Sequence, residues 1–390
     1  MKRIFVLTLT LLLVLSGCGS KTNPALEPTM ALQTQAPTAV PTEATTETTT
    51  EPTTEPTTEP APVYYNPLNG AILEEPFSGR VYANTVSNTR DALPHVGVNK
   101  ADILMEMFVN GSVDRCLALY TDVENMNAIG STRSTRLMFN DIVQHYSAIF
   151  THAGGGSQCM RDANQRGIEH FNIDSIMRQA GELKQGVAYR DDGRYSPHNL
   201  FGVGSGIRAY LESEGVPMTL DKDYGLVFQE DGTPASGEDA QDILIRLTYG
   251  KTWKETHMVY DAEAGKYTYW QYEDILMKDY LTGEPEQFRN VVVMFTDISM
   301  NGIYHQADFV AGGTGYFACG GKIVPMTWTC ADETSPFQFW TEDGEPLEFG
   351  QGNTYIAICS PDSPVPPPSA SGSTSWTRST CCPPPLSTRC

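Results

Sequence analysis

Basic residues are scarce in this chain. Against 47 Asp and Glu stand only 26 Lys and Arg, a formal net charge of −21. So acidic a surface excludes nucleic acid as a general partner. It does not exclude a local basic patch, and arginines on this background would stand out to an anionic ligand. Apolar runs are short: past the N-terminal segment nothing reaches the roughly 18 apolar residues that a membrane-spanning helix needs. Cysteine is sparse and lacks metal spacing. Cys18 and the terminal Cys381, Cys382 and Cys390 aside, Cys116, Cys159, Cys319, Cys330 and Cys359 remain. An odd number leaves at least one thiol free unless it pairs between chains. Buried thiols are expected, and Cys319–Cys330 is the disulfide to test. No G-x-S-x-G elbow, H-E-x-x-H or paired C-x-x-C occurs, so neither metal nor cofactor is expected. Gly320-Gly321-Lys322 imitates the end of a phosphate loop, but Tyr316 stands where its first glycine belongs and Ile323 where Ser or Thr must reach magnesium. Asp221-Lys222-Asp223-Tyr224-Gly225 lacks the third ligand and terminal glutamate of a calcium loop.

What is present begins at the N-terminus. Lys2 and Arg3 make a positive n-region and Ile4 to Leu15 an apolar h-region. Leu15-Ser16-Gly17-Cys18 then resembles a bacterial lipobox. Residues 1–17 are expected to be a lipoprotein signal peptide and Cys18 the lipidated residue. That places the protein at the cell membrane, anchored by lipid on its extracytoplasmic face. Two acyl chains on one cysteine meet the two-anchor requirement for stable attachment. Residues 18–63 read as a disordered Thr/Pro/Glu tether, with Thr-Thr-Glu-Pro repeated between Thr49 and Pro60. Extended by proline and like charge, it could span on the order of 100 Å.

The remainder reads as α+β. An N-terminal α/β-type domain with a mixed sheet is expected over 64–220, and a mainly-β domain over 236–365, divided by a Pro-, Gly- and Asp-rich stretch at 215–239. Asn110-Gly111 between alternating runs predicts a hairpin over 102–120. A helix is expected from Ser131 or Thr132, burying Met138, Phe139, Ile142, Val143 and Tyr146 at 3.6-residue spacing. Strand 113–120, helix 133–147 and strand 148–152 would form a right-handed βαβ unit. Further helices are expected at 157–166, 173–183 and 203–214. Short strands at 243–249, 257–260, 267–271, 291–296, 316–319, 323–329 and 355–358 predict a twisted antiparallel sheet or sandwich. Residues 366–390 carry no periodicity and no acidic residue, and read as an aberrant low-complexity tail.

The candidate site follows from the βαβ expectation. Ligands in parallel α/β sheets sit beyond the strand ends where helix N-termini point. Ser131, Arg133, Ser134 and Arg136 would bring hydroxyls and guanidinium forks, which suit carboxylate or phosphate. His152, Gly154 and Gly155 would come from the next strand, and His198 and Asn199 from a loop. Opposed to this, Ser131 or Thr132 need only cap a helix, worth about 1 kcal/mol. Arg133 and Arg136 would then pair with acids such as Asp102 or Glu106.

Taken together these pieces resemble the YerB-like lipoproteins, a bacterial family of unknown function. They are Asn66-Pro67-Leu68-Asn69-Gly70, Lys100-Ala101-Asp102-Ile103 with Glu106, Gly130 through Arg136, His152-Ala153-Gly154-Gly155, and Ser196-Pro197-His198-Asn199-Leu200. The resemblance covers roughly 66–365 and implies a lipid-anchored envelope protein of two family domains, with no catalytic residues to carry over. Residues 80–90 are more polar than the first strand expected there. Three functions remain open. The chain binds an anionic small molecule, glycan or protein group, a cell-wall fragment among the possible partners, without chemistry. It is an envelope hydrolase or transferase using His152 or His198 with Ser131 or Ser134. Or it is a structural module for an undefined protein partner.

Overall fold

The structure is a computed structural model that describes residues 62–363. The expected signal peptide, Cys18, nearly all of the tether and the tail from 366 lie outside the described residues. The fold is α+β, with ten strands of a thirteen-stranded mixed sheet forming its main path.

Strands β1 (Tyr82–Ser87), β2 (Ile103–Asn110) and β3 (Val113–Tyr120) lie side by side within it. The β2–β3 hairpin turns where predicted, with Gly111 at φ +52°, where glycine carries no steric cost. Helix α1 (Leu137–Tyr146) leads to β4 (Ile149–His152), and α2 (Ser157–Gln165) to β5 (His170–Asn172). Further along lie β6 (Asp242–Tyr249), β7 (Thr252–Asp261), β8 (Lys266–Gln271), β9 (Asn290–Phe295), β10 (Gly313–Cys319), β11 (Lys322–Thr329) and β12 (Thr354–Cys359). Starting from the short edge strand Glu238–Asp239, which pairs with β11, the order along the main sheet is β11-β10-β9-β12-β2-β3-β1-β4-β5. Strands from either side of 215–239 thus share one sheet, joined where β12 runs parallel to β2 with Thr354 opposite Ile103. Strands β6, β7 and β8 form a separate antiparallel sheet with the short pairs 275–276 and 287–288.

Alternation decides which side of the main sheet each residue joins. Ile103, Met105, Met107, Leu117 and Leu119 pack with Met138, Phe139, Ile142, Val143 and Tyr146 of α1, the face its spacing predicts. Leu104, Phe108, Cys116, Ala118 and Tyr120 join Ile243, Ile245, Leu247 and Tyr269 of the second sheet.

Two expectations are corrected. Strand β4 pairs parallel with β1, and β1 antiparallel with β3. Strands β3 and β4 therefore run in opposite directions, and the parallel crossover is β4–α2–β5 instead. Helix α1 begins at Leu137, about one and a half turns later than expected. The thiols are buried as expected: Cys319 and Cys330 are both free and buried, as are Cys116, Cys159 and Cys359.

On the second-sheet face, two acids break the apolar alternation. Glu106 and Asp114 are buried with Lys254 of β7. The Lys254 ammonium contacts Glu106 and lies 2.9 Å from Asp114. Asn88 donates to both carboxylates, and the hydroxyls of Tyr269 and Tyr355 donate to Glu106 at 2.8 and 2.5 Å. Burial pushes the Asp114 carboxyl up, even with Lys254 beside it. At Glu106 burial acts the same way, but the ammonium and hydroxyl donors prevail and hold it below the ordinary range.

Candidate functional site

The polar composition of β1, unexpected for an inner strand, explains the site. Every residue of β1 is buried, and its polar side chains hold the segment 131–136. The Asn84 side-chain carbonyl accepts from the hydroxyls of Thr132 at 3.2 Å and Thr151 at 2.9 Å. The Ser87 amide donates to the Ser131 carbonyl, and the Arg133 amide to the Thr85 carbonyl. On the other side, Ala153 donates to Arg133 and Thr135 to Gly154. With its backbone committed to two neighbours, 131–136 is an extended strap rather than a first helical turn. Ser131 and Thr135 are fully buried, whereas Arg133, Ser134 and Arg136 are partly exposed.

A third arginine joins these two. Arg115 of β3 is only 5 % exposed, and its Nη1 donates to the Ser134 carbonyl at 2.7 Å. Burial, then Arg136, then Arg133 push its guanidinium down to about 9. Arg133 donates to the Pro197 carbonyl at 3.2 Å. Arg136 donates to the Asn110 side chain at 3.0 Å and the Thr135 carbonyl at 2.7 Å, and lies 5.5 Å from the Tyr304 ring centre. All their protein acceptors are neutral oxygens. Among the described residues, no carboxylate forms an ion pair with any of the three. His198 borders the group: its Nδ1 lies 3.4 Å from Ser87 Oγ, and burial followed by Arg133 lowers its basicity.

The expected acid partners are elsewhere. Glu106 lies on the opposite face of the sheet from Arg115 and binds Lys254. Asp102 accepts from Thr121 and Asn69.

Several expected site residues do not join the cluster. His152 is fully buried: Nδ1 donates to the Gly154 carbonyl at 2.8 Å, and Nε2 lies 3.0 Å from His170 Nδ1. Burial, then His170, drops it to about 3, so it is a neutral structural imidazole. The Gly154 amide donates to Asn172 at 3.1 Å, and its carbonyl accepts from Thr135 and His152. Gly155 permits the close approach of Thr135, whose methyl would lie 2.8 Å from an added Cβ. Both glycines therefore support the strap. Asn199 accepts from Arg190 at 2.7 Å and donates to the Asp191 carbonyl, fixing its own loop. Ser134 Oγ donates to Ala153 at 3.0 Å, while Ser131 Oγ is buried without a partner. Neither serine bonds to an imidazole.

The cluster thus keeps Arg133, Ser134, Arg136 and His198 and adds Arg115, Asn110 and Tyr304. Arg115 was visible as a charge in the apolar phase Val113, Leu117, Leu119. Tyr304 carried no sequence signal and arrives through tertiary packing. Among the described residues, no group of acids, histidines and cysteines is placed to hold a metal ion, and no helix is long and apolar enough to cross a membrane.

The fold and the cluster define a mixed-sheet α+β protein bearing a patch of uncompensated guanidinium groups. Residues 69–217 match the DUF3048 N-terminal domain and residues 245–356 the DUF3048 C-terminal domain, both described as protein of unknown function. The chain belongs to this family, the YerB-like proteins. It is 25% identical over 299 residues to "Putative lipoprotein YerB" of Bacillus subtilis (strain 168), covering 75% of this chain and 85% of that protein. The crystal structure of Bacillus subtilis YerB matches with a TM-score of 0.66 at 22% identity, covering 75% of this chain and 96% of that one. That likeness is one of fold.

Proposed function

We propose that the chain is a lipid-anchored protein of the extracytoplasmic membrane face that binds a multiply charged anion, of the phosphate type, without transforming it. The observation that carries this reading is Arg115: a buried guanidinium flanked by two others, with only neutral protein acceptors around all three. Like charges at close range in a partly buried setting repel. A bound anion would relieve that repulsion and accept two-pronged hydrogen bonds. A dianion suits three guanidinium groups better than a single carboxylate does. The hydrolase or transferase reading lacks support, because no Ser–His pair is assembled from Ser131, Ser134, His152 and His198. The lipobox-like Leu15–Cys18 and the name of the Bacillus subtilis relative support the anchor.

The test is thermal unfolding of the full chain in inorganic phosphate against chloride at equal ionic strength. Phosphate should raise the transition of the wild type, and Arg133→Ala/Arg136→Ala should remove that rise while remaining folded. An identical response in wild type and double variant would end the proposal. Cys18→Ala should release the protein from membranes, and retention would contradict the anchor.

A further inference from the structure

Away from the arginine cluster, a cavity of about 330 Å³ opens beside the start of β7, within the roughly 300–1,000 Å³ of ligand sites. Trp253, Glu255, Tyr272, Glu273, Asp274 and Arg90 surround it, with Lys254 alongside. Trp253 is 61 % exposed, and its indole has no ring, cation or hydrogen-bond partner among the described residues. Tyr272 and Glu273 both adopt left-handed backbone, φ +52° and +72°, a conformation costly for a bulky side chain and concentrated at binding sites. This bend is held by the Tyr272 amide donating to the Glu255 carbonyl and the Tyr272 hydroxyl donating to the Asn88 carbonyl at 3.0 Å. It presents the Tyr272 ring, over which Arg90 lies 4.9 Å from the centre.

The charges at this rim are largely matched. Arg246 pairs with Glu255 at 2.6 Å, Arg90 faces Asp274 at 4.0 Å, and Lys254 is held by Glu106 and Asp114. An ionic ligand would have to displace these partners, whereas a neutral polyhydroxylated one would not. A free aromatic face beside planar carboxylate and guanidinium edges suits a ligand with one apolar C–H face and a rim of hydroxyls. We propose that this cavity is a saccharide-binding site, with Trp253 as stacking platform and Glu255, Glu273, Asp274 and Arg90 as hydroxyl partners.

The test is calorimetric titration of the full chain with three neutral probes: maltotetraose, cellotetraose and chitotetraose. At least one should bind, with a blue shift of tryptophan emission. Trp253→Ala should weaken binding by about tenfold or more, equal to about 1.4 kcal/mol, and lose that emission change. Trp253→Phe should keep part of the affinity. Because Trp253 is exposed, neither substitution should unfold the chain. Arg133→Ala/Arg136→Ala should bind saccharide unchanged, which separates this site from the anion site. Binding of none of the three probes with Kd below about 10 mM, or equal binding by wild type and Trp253→Ala, would overturn the proposal.

Discussion

Arg115 donates at 2.7 Å to the carbonyl of Ser134, a residue of the strap between the other two arginines. This bond brings a buried guanidinium from the middle of a sheet to two others from a loop. If the like charges repel in the ligand-free protein, removing one costs the fold little. Arg115→Met preserves the apolar stem and should leave stability in chloride within about 1 kcal/mol of wild type, since replacing a buried charge by a well-packed apolar group is often neutral. It should also reduce stabilisation by phosphate, which for a saturated site reaches about 2.7 kcal/mol at a hundredfold excess over Kd. Urea unfolding in both salts measures both effects. A large loss of stability in chloride would make Arg115 a structural anchor instead.

The strap also shows where reading from sequence ends. The hairpin at Asn110-Gly111, the buried face of α1 and each of the seven later strands were legible because local periodicity and turn chemistry set them. Ser-Thr-Arg-Ser-Thr is a plausible helix start in isolation, so the local pattern alone begins α1 too early. What overrides it is Asn84, Thr85 and Ser87, some fifty residues away, whose polarity looked wrong for an inner strand. Arg133 and Arg136 could be singled out, since arginines among small hydroxyl residues suggest a site. His152 could not be assigned, because the neighbours that consume its two nitrogens, Gly154 and His170, are set by the β4–β5 crossover.

Asn84 tests the long-range hold directly. Its side-chain carbonyl accepts from two buried hydroxyls, Thr132 and Thr151. Asn84→Ala leaves each hydroxyl only its backbone acceptor, Ile129 for Thr132 and Ala83 for Thr151, so the loss should be about 0.5–1.5 kcal/mol for each hydrogen bond removed. Amide hydrogen exchange at Arg133 and Thr135 should accelerate as the strap loosens. Unchanged exchange would show that backbone bonds alone hold it.

Lys254 links the two family segments through Glu106 and Asp114. Lys254→Met leaves two buried carboxyls without their cation, and removing one partner of a buried ion pair costs about 3–5 kcal/mol. The triple variant Glu106→Gln/Asp114→Asn/Lys254→Met should recover much of that loss, because no buried charge remains. Chemical denaturation decides. If Lys254→Met lay within about 1 kcal/mol of wild type, the network would not be a structural lock.

His152 makes the fold acid-sensitive with a definite sign. In the native state it takes up a proton only near pH 3, against 6.5 for an ordinary imidazole. Between these values the unfolded chain binds the extra proton, so stability falls as pH drops below about 6.5, at up to about 1.4 kcal/mol per unit for this group. His145, lowered to about 4 by burial, acts in the same direction. Asp141 opposes them: burial raises it to about 6, so its native form holds a proton that the unfolded chain has released. Comparing His152→Asn with wild type cancels the other two groups. The variant should be less stable at pH 7 but lose less on acidification to pH 4, by as much as about 1.4 kcal/mol per unit. Parallel pH profiles from urea unfolding would mean that His152 takes up its proton as readily in the native protein as in the unfolded chain, contrary to its place between the Gly154 carbonyl and His170.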